Sequence, residues 1–252
     1  GSLISLEKGA SFKTKNAKSN GEQIVYQNAK SNPSVIKYNY LTIPRGGQFF
    51  IKLSDGTQVS LNSESQLKYP VHFIEGETRE VELVYGEAYF DVSPSTNHKG
   101  AKFKVLNNTQ EIEVLGTEFN IKAYKDEVNI YTTLVEGKVA INTPNLKQLL
   151  IPNQQSILDT QNNTLSVITV DVLEAISWKE GVFSFINKPL KDIMKVLSRW
   201  YDVDIIFDNK ELESAEFIGT LNKNQSIDEV LSIMKSFSLN NYEIKGDTII
   251  LN

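Results

Sequence analysis

The 252-residue sequence has no cysteine, which excludes disulfides, thiolate metal sites and a thiol nucleophile. No apolar run approaches the ~18–20 residues that a membrane-spanning helix requires, and there is no signal peptide. The chain begins Gly1-Ser2 without a methionine. We read that start as a cloning scar on a truncated chain, with whatever precedes Leu3, a membrane anchor included, outside the sequence. A basic surplus is also missing. The 26 Lys+Arg stand against 31 Asp+Glu for a net charge of −5, and no basic run offers a footprint for a phosphate backbone, so no nucleic-acid partner is expected. Histidine is limited to His72 and His98. Neither has a carboxylate at ligand spacing, so a metal site and a Ser–His–Asp triad lack support, and both histidines are expected on the solvated surface. No cofactor is implied.

What the chain does have, between Leu41 and Ile141, is a succession of short alternating apolar runs punctuated by a glycine beside an acid or threonine, as in LSDGTQVSL, YGEAYFDV, VLGTEFNI and LVEGKVAI. Glycine accepts the positive φ of tight hairpins and bulges, and the alternation puts one face of each strand in a core and the other in water. The pattern reads as a β-rich binding or sensing module. Gly56, Gly86 and Gly116 are evenly spaced, but their flanks do not repeat, so the spacing is a loose regularity and not a true repeat. The first hairpin can be placed in register. A three-residue loop Ser54-Asp55-Gly56 pairs Leu53 with Thr57, Ile51 with Val59 and Phe49 with Leu61, keeping the apolar side chains on one face. Further strands are expected at Tyr38–Ile43, Val81–Val84, Ala88–Val92, Phe103–Leu106, Ile112–Leu115, Thr117–Ala123, Val128–Leu134 and Lys138–Ile141, a density that fits a sandwich, barrel or β-roll (solenoid-like). Residues 1–37 read as a polar linker with one short strand at Gln23–Tyr26, residues 38–177 as the β domain, and residues 178–252 as a small α+β domain.

That last domain has the order strand (Val182–Ile186), helix (Pro189–Tyr201), strand (Val203–Phe207), strand (Glu216–Leu221), helix (Ile227–Ser236), strand (Asn241–Ile244) and strand (Thr248–Leu251), written βαββαββ, with two helices on one sheet. The first helix is expected to bury Leu190, Ile193, Met194, Leu197 and Trp200, with Asn187 as N-cap and Pro189 in the first turn. The second opens with the capping box Ser226-Ile227-Asp228-Glu229 and buries Ile227, Val230, Leu231 and Met234. A two-residue Gly246-Asp247 loop of type II′ pairs Ile244 with Ile249 and Tyr242 with Leu251. An open sheet leaves edge strands whose free N–H and C=O groups can accept a partner's strand. The candidate edges are Glu216–Leu221 and Thr248–Leu251, with Glu216, Phe217, Gly219, Leu221, Thr248 and Ile250 as candidate partner-binding residues.

Catalytic patterns are scarce. Glu87 and Asp91 share a strand face, but four residues of strand span ~13 Å, beyond the ~5–9.5 Å carboxylate separation of glycoside hydrolysis. They read as the polar face of a strand that buries Ala88, Phe90 and Val92. Pro44-Arg45-Gly46-Gly47-Gln48 lacks phosphate-loop spacing and reads as a turn. Trp178, Trp200, Tyr201, Tyr124 and Tyr131 could line a sugar platform, which makes a carbohydrate-binding β module with an appended α+β domain the alternative reading. Trp200 falls on a helix's apolar stripe and is expected in the core.

The stretch PRGGQFFIKLSDGTQVSLNSESQLKYP (Pro44–Pro70), followed by VELVYGEAYFDV (Val81–Val92), VLGTEFNI (Val114–Ile121), LVEGKVAI (Leu134–Ile141) and LIPNQQ (Leu150–Gln155), closely resembles the FecR family of membrane-spanning anti-sigma factors. WKEGVFSFINKPLKDIMKVLSRWYDVDI (Trp178–Ile205) with FIGTL (Phe217–Leu221) looks like the C-terminal domain that accompanies FecR in Bacteroidetes. The βαββαββ order also resembles the small signalling domains of TonB-dependent transporters and secretins. The resemblance implies a regulatory protein with no catalytic residues to carry over. It also implies that this chain is the periplasmic region of a single-pass inner-membrane protein. Its partners would then be the N-terminal signalling domain of a TonB-dependent outer-membrane transporter and, through a cytoplasmic domain outside this sequence, an extracytoplasmic-function (ECF) sigma factor.

Overall fold

The computed structural model describes residues 12–13, 17–20, 23–26, 36–235 and 241–252. By its contacts the chain divides into two compact units, Gly1–Ile43 with Gln48–Val172, and Pro44–Gly47 with Leu173–Asn252.

Among the described residues the first unit is built from strands, apart from one short 3-10 turn at Ser95–His98. They are β1 (Phe12–Lys13), β2 (Ala17–Ser19), β3 (Gln23–Tyr26), β4 (Tyr38–Ile43), β5 (Phe49–Lys52), β6 (Gln58–Leu61), β7 (Ser65–Pro70) and β8 (Arg79–Asp91). The series continues with β9 (Phe103–Asn107), β10 (Gln110–Val114), β11 (Glu118–Ala123), β12 (Asn129–Glu136), β13 (Val139–Asn142), β14 (Lys147–Leu150), β15 (Gln154–Asp159) and β16 (Thr164–Thr169). All sixteen connect into one continuous sheet that does not close into a barrel. One half runs β1-β2-β3-β5-β6-β8-β11-β12-β15-β16, and the other carries β4, β7, β9, β10, β13 and β14. Buried side chains of both halves, among them Leu67, Leu83 and Ile141 from one and Ile51, Phe90 and Phe119 from the other, form a single core cluster. Each such aliphatic or aromatic side chain contributes about 1.5–3 kcal/mol on burial. Phe90 stacks on Phe119 at 5.2 Å between ring centroids and meets Phe103 at 6.5 Å.

The expected first hairpin forms in its expected register, Phe49 opposite Leu61 and Ile51 opposite Val59, with the Leu53 N–H donating to the Thr57 carbonyl at 2.8 Å and Gly56 at φ +90°. The expected separate strands at Val81–Val84 and Ala88–Val92 are instead one strand of 13 residues, β8. Its first part pairs with β7 and β9, its second with β6 and β11. A register shift against β7 and Gly86 at φ +98° mark the change of partners. The glycine is required there by space as well as by φ, because a Cβ would lie 2.2 Å from the Ser65 Oγ and 2.4 Å from its Cα.

The expectation of a linker over residues 1–37 needs correction. The strand at Gln23–Tyr26 forms as expected, but it runs parallel to β5 and antiparallel to β2, and Ala17 and Ile24 are buried in the main core. Two apolar residues at the right register suffice to extend an open edge, and their polar flanks hide that signal.

A helical turn, α1 (Val172–Ile176), precedes the elements of the second unit: β17 (Val182–Pro189), α2 (Leu190–Tyr201), β18 (Asp204–Phe207), β19 (Glu216–Asn222), α3 (Ile227–Lys235), β20 (Tyr242–Lys245) and β21 (Thr248–Leu251). The βαββαββ order is as expected, but the strands form two sheets and not one: β17-β19 and β18-β21-β20. α2 buries Leu190, Ile193, Met194, Leu197 and Trp200, and Arg199 as well. Asn187 is not its N-cap. Helix geometry starts only after Pro189, at ψ 138°, and Asn187 sits at φ +50° in an irregularity of β17. The α3 capping box forms in both directions, with the Ser226 N–H donating to Glu229 Oε2 at 2.7 Å and the Glu229 N–H to Ser226 Oγ at 3.2 Å. α3 buries Val230, Leu231 and Met234, while Ile227 is half-buried. The final hairpin pairs Ile244 with Ile249 and Tyr242 with Leu251. Gly246 takes φ +62° and Asp247 stays at negative φ, as type II′ requires.

Candidate interaction surface

Among the described residues β19 has β17 as its single strand neighbour, so its other side is open. Alternation along it sends Phe217 and Leu221 into the core, where Phe183 and Phe185 of β17 also lie, and turns Glu216, Ile218 and Thr220 outward. Ile218 is 67% exposed and Ile186 of β17 50% exposed, so the outer face of this two-stranded sheet carries an apolar pair. A Cβ on Gly219 would meet the Phe217 ring at 2.6 Å, which keeps this part of the strand slim. Of the sequence candidates here, Phe217, Gly219 and Leu221 have the parity of Ala215 and Lys223, whose backbone bonds run to Leu190 and Gly181. Their backbone groups therefore face β17, while Glu216 exposes its side chain and turns its backbone groups to the open side. Ile218 was missed because Phe217-Ile218 places two apolar residues in succession and leaves the inward parity undecided.

The Thr248–Leu251 candidates require a correction. β21 is the central strand of its sheet, parallel to β18 at Ile205 opposite Ile249 and antiparallel to β20 at Ile244 opposite Ile249. Both of its sides are therefore used, so Thr248 and Ile250 lie on a sheet face and not on an edge. The hairpin register alone cannot show the second neighbour, which arrives from β18 about 40 residues earlier in sequence.

In the first unit, the groups that invite a chemical reading hold structure together. Arg79 and Asp55 are both buried and pair at 2.8 Å from Nη1 to Oδ2. Arg79 also donates to the carbonyls of Ser93 (2.9 Å) and Ala101 (3.1 Å), and Asp55 accepts from the Thr57 N–H and hydroxyl. The pair thereby ties the first hairpin to the start of β8 and to the 93–101 loop. His98 is half-buried rather than solvated, with Nε2 2.9 Å from the Ser93 Oγ. Burial, and then the Arg79 charge, hold its pKa below the usual 6.5. A serine and histidine at this distance suggest a nucleophile and its base, but the nearby carboxylate of Asp55 is committed to Arg79 and Thr57. Glu87 departs from the expected solvated face. It is buried, accepting from Asn62 Nδ2 at 2.8 Å and Asn120 Nδ2 at 2.9 Å, and desolvation raises its pKa despite those bonds and the Lys122 charge. Trp178, Trp200 and Tyr124 are buried and provide no sugar platform. No group of His, Asp or Glu residues among those described could hold a metal ion, and no described helix is long and apolar enough to cross a membrane.

The geometry is thus that of a β unit whose buried charges anchor its loops, joined in sequence to an α+β unit with an open strand edge. Residues 39–140 match the family model of the FecR protein, and residues 182–251 match that of the FecR C-terminal domain. The chain belongs to the FecR family, whose members are membrane-anchored anti-sigma factors, a regulatory and non-enzymatic kind of protein. Two crystal structures of a candidate anti-sigma factor from Parabacteroides distasonis ATCC 8503 are similar to it, each with a TM-score of 0.75 and 28% identity, over 85% of this chain and 98% of theirs. No curated protein matches the chain.

Proposed function

We propose that this chain is the periplasmic, signal-receiving region of an anti-sigma factor, with a FecR β domain to which strands before Tyr38 contribute and a signalling-type α+β domain (178–252). Its membrane anchor and cytoplasmic sigma-binding domain lie outside the sequence. The signal is contact with the N-terminal signalling domain of a substrate-loaded TonB-dependent outer-membrane transporter. The output is the availability of an ECF sigma factor. The observation that carries this reading is the open edge of β19 in the FecR C-terminal unit, where Ile218 is 67% exposed. An incoming strand can bond the backbone of Glu216, Ile218 and Thr220, whose groups alternate with those bonded to β17, and pack on the Ile218 side chain. Such contact relays a signal only if the partner prefers one of two states, and a switch from 1:99 to 99:1 takes about 5.5 kcal/mol of differential affinity.

Titration calorimetry against the signalling domain of the transporter encoded nearest to this gene tests the reading. We expect binding that Ile218→Lys weakens about tenfold, the effect of losing one apolar anchor at an interface. Absence of binding by the native chain would remove that transporter as the partner, and equal binding by the variant would move the contact away from β19.

A further inference from the structure

The first unit has an open edge of its own. Among the described residues β14 pairs with β13 alone. The antiparallel register places Leu149 opposite Ala140, and Ala140 opposite Glu113 of β10, on the face of the sheet away from the core. Leu115 and Ile151 each follow a buried core residue, Val114 and Leu150, and by the same register flank Lys138. Leu149 is 63% exposed, Ile151 60% and Leu115 56%, which makes an apolar row at the margin of a sheet whose outer face otherwise carries ion pairs such as Lys104–Glu111 and Lys102–Glu113.

Two side-chain amides occupy backbone groups along this margin. The Leu149 carbonyl accepts from Gln148 Nε2 at 2.7 Å, and the Ile151 N–H donates to Gln154 Oε1 at 3.1 Å. Bonds of this kind satisfy an edge in the absence of a neighbouring strand and can be exchanged for a strand's own groups. Lys138, between Leu115 and Ile151, and Lys147, at the start of β14, stand exposed without an ion-pair partner among the described residues. A lysine on an edge discourages pairing with a second copy of the same edge, and the two together favour a partner that brings negative charge.

From this we propose that β14, with Leu115, Leu149 and Ile151, is a docking edge for an extended protein segment in which apolar and acidic side chains alternate. The apolar residues of that segment cover the row, its carboxylates meet Lys138 and Lys147, and its backbone replaces the two glutamine amides. This surface is separate from β19 and does not depend on it.

The test is fluorescence anisotropy with a fluorescein-labelled peptide of alternating valine and glutamate, about seven residues long as ordinary strands are. A valine–lysine peptide serves as its counterpart. Saturable binding of the acidic peptide alone is expected, weakened about tenfold by Lys138→Glu with Lys147→Glu and lost with Leu149→Lys, in variants that melt like the native chain. Ile218→Lys is expected to leave it unchanged. The proposal is overturned by no saturable binding, by equal binding of both peptides, or by binding that the β14 variants do not alter. Sedimentation with phosphatidylglycerol vesicles in the absence of peptide binding would also overturn it and assign the row to a lipid surface.

Discussion

Removing either member of the Asp55–Arg79 pair strands a charge in the protein interior, which costs about 3–5 kcal/mol. Asp55→Ala is therefore expected to lower the free energy of unfolding in urea by about that amount, and Asp55→Ala with Arg79→Met to recover part of it, because no unpaired guanidinium then remains. Glu87 makes a different prediction. Burial raises its folded pKa above the usual 4.5, so the unfolded chain ionises first as pH rises. Stability falls between the unfolded and folded pKa and stays lower at neutral pH. Glu87→Gln is expected to raise the melting temperature at pH 7 by about 3 °C, the equivalent of roughly 1 kcal/mol for a chain of this size, and to leave it unchanged at pH 4. His98 has the opposite sign. Its folded pKa lies below 6.5, so its contribution is present above that pH and is lost as pH falls through the folded value. Neither behaviour was legible in the sequence. Strand parity puts Glu87 opposite the core residue Ala88 and predicts water around it, but the amides that enclose it come from Asn62 and Asn120, distant in sequence and unremarkable by type.

At the scale of elements, turns and helix faces were the most legible, because their determinants are local. Gly56 and Gly246 set loop lengths, loop lengths set register, and the apolar stripe of α2 marks its buried side. The expectations that failed concern elements defined by distant partners. β8 was divided at Gly86 because a glycine between two alternating runs is ordinarily a turn, and the close approach of Ser65 that explains it has no local signature. Gly86→Ala is expected to destabilise the protein by about 3 kcal/mol, since strain at positive φ adds to a clash with backbone that cannot move aside. A urea midpoint within experimental error of the native value would show that β8 can shift to admit the methyl group. The N-cap of α2 was misplaced for a related reason. Asn187 has the preferred side chain, but Pro189 fixes where helical φ can begin, and the Leu190 N–H is taken by the Ala215 carbonyl at 2.7 Å.

For the whole molecule, fold class and family were readable from strand density and ordered motifs, and the edges were not. Sheet order depends on which strands meet in space, so β21 passed for an edge while β14 drew no attention. Composition likewise concealed the first 37 residues, whose described strands extend the sheet beyond β5. Truncation to begin at Tyr38 is expected to speed amide hydrogen exchange across Phe49–Lys52, read by mass spectrometry, since that strand would lose its β3 neighbour. Unchanged exchange there would mean that β3 contributes nothing to the sheet in solution.

Because β8 is a single strand with its first part in one half of the sheet and its second in the other, the two halves have a common spine. They cannot slide or part without tearing a ladder along that strand, so the β unit should respond to load as one stiff block. Force applied at any of its margins is then carried across the block with little internal give, and adjustment is left to its outermost strands and the chain segments that leave it.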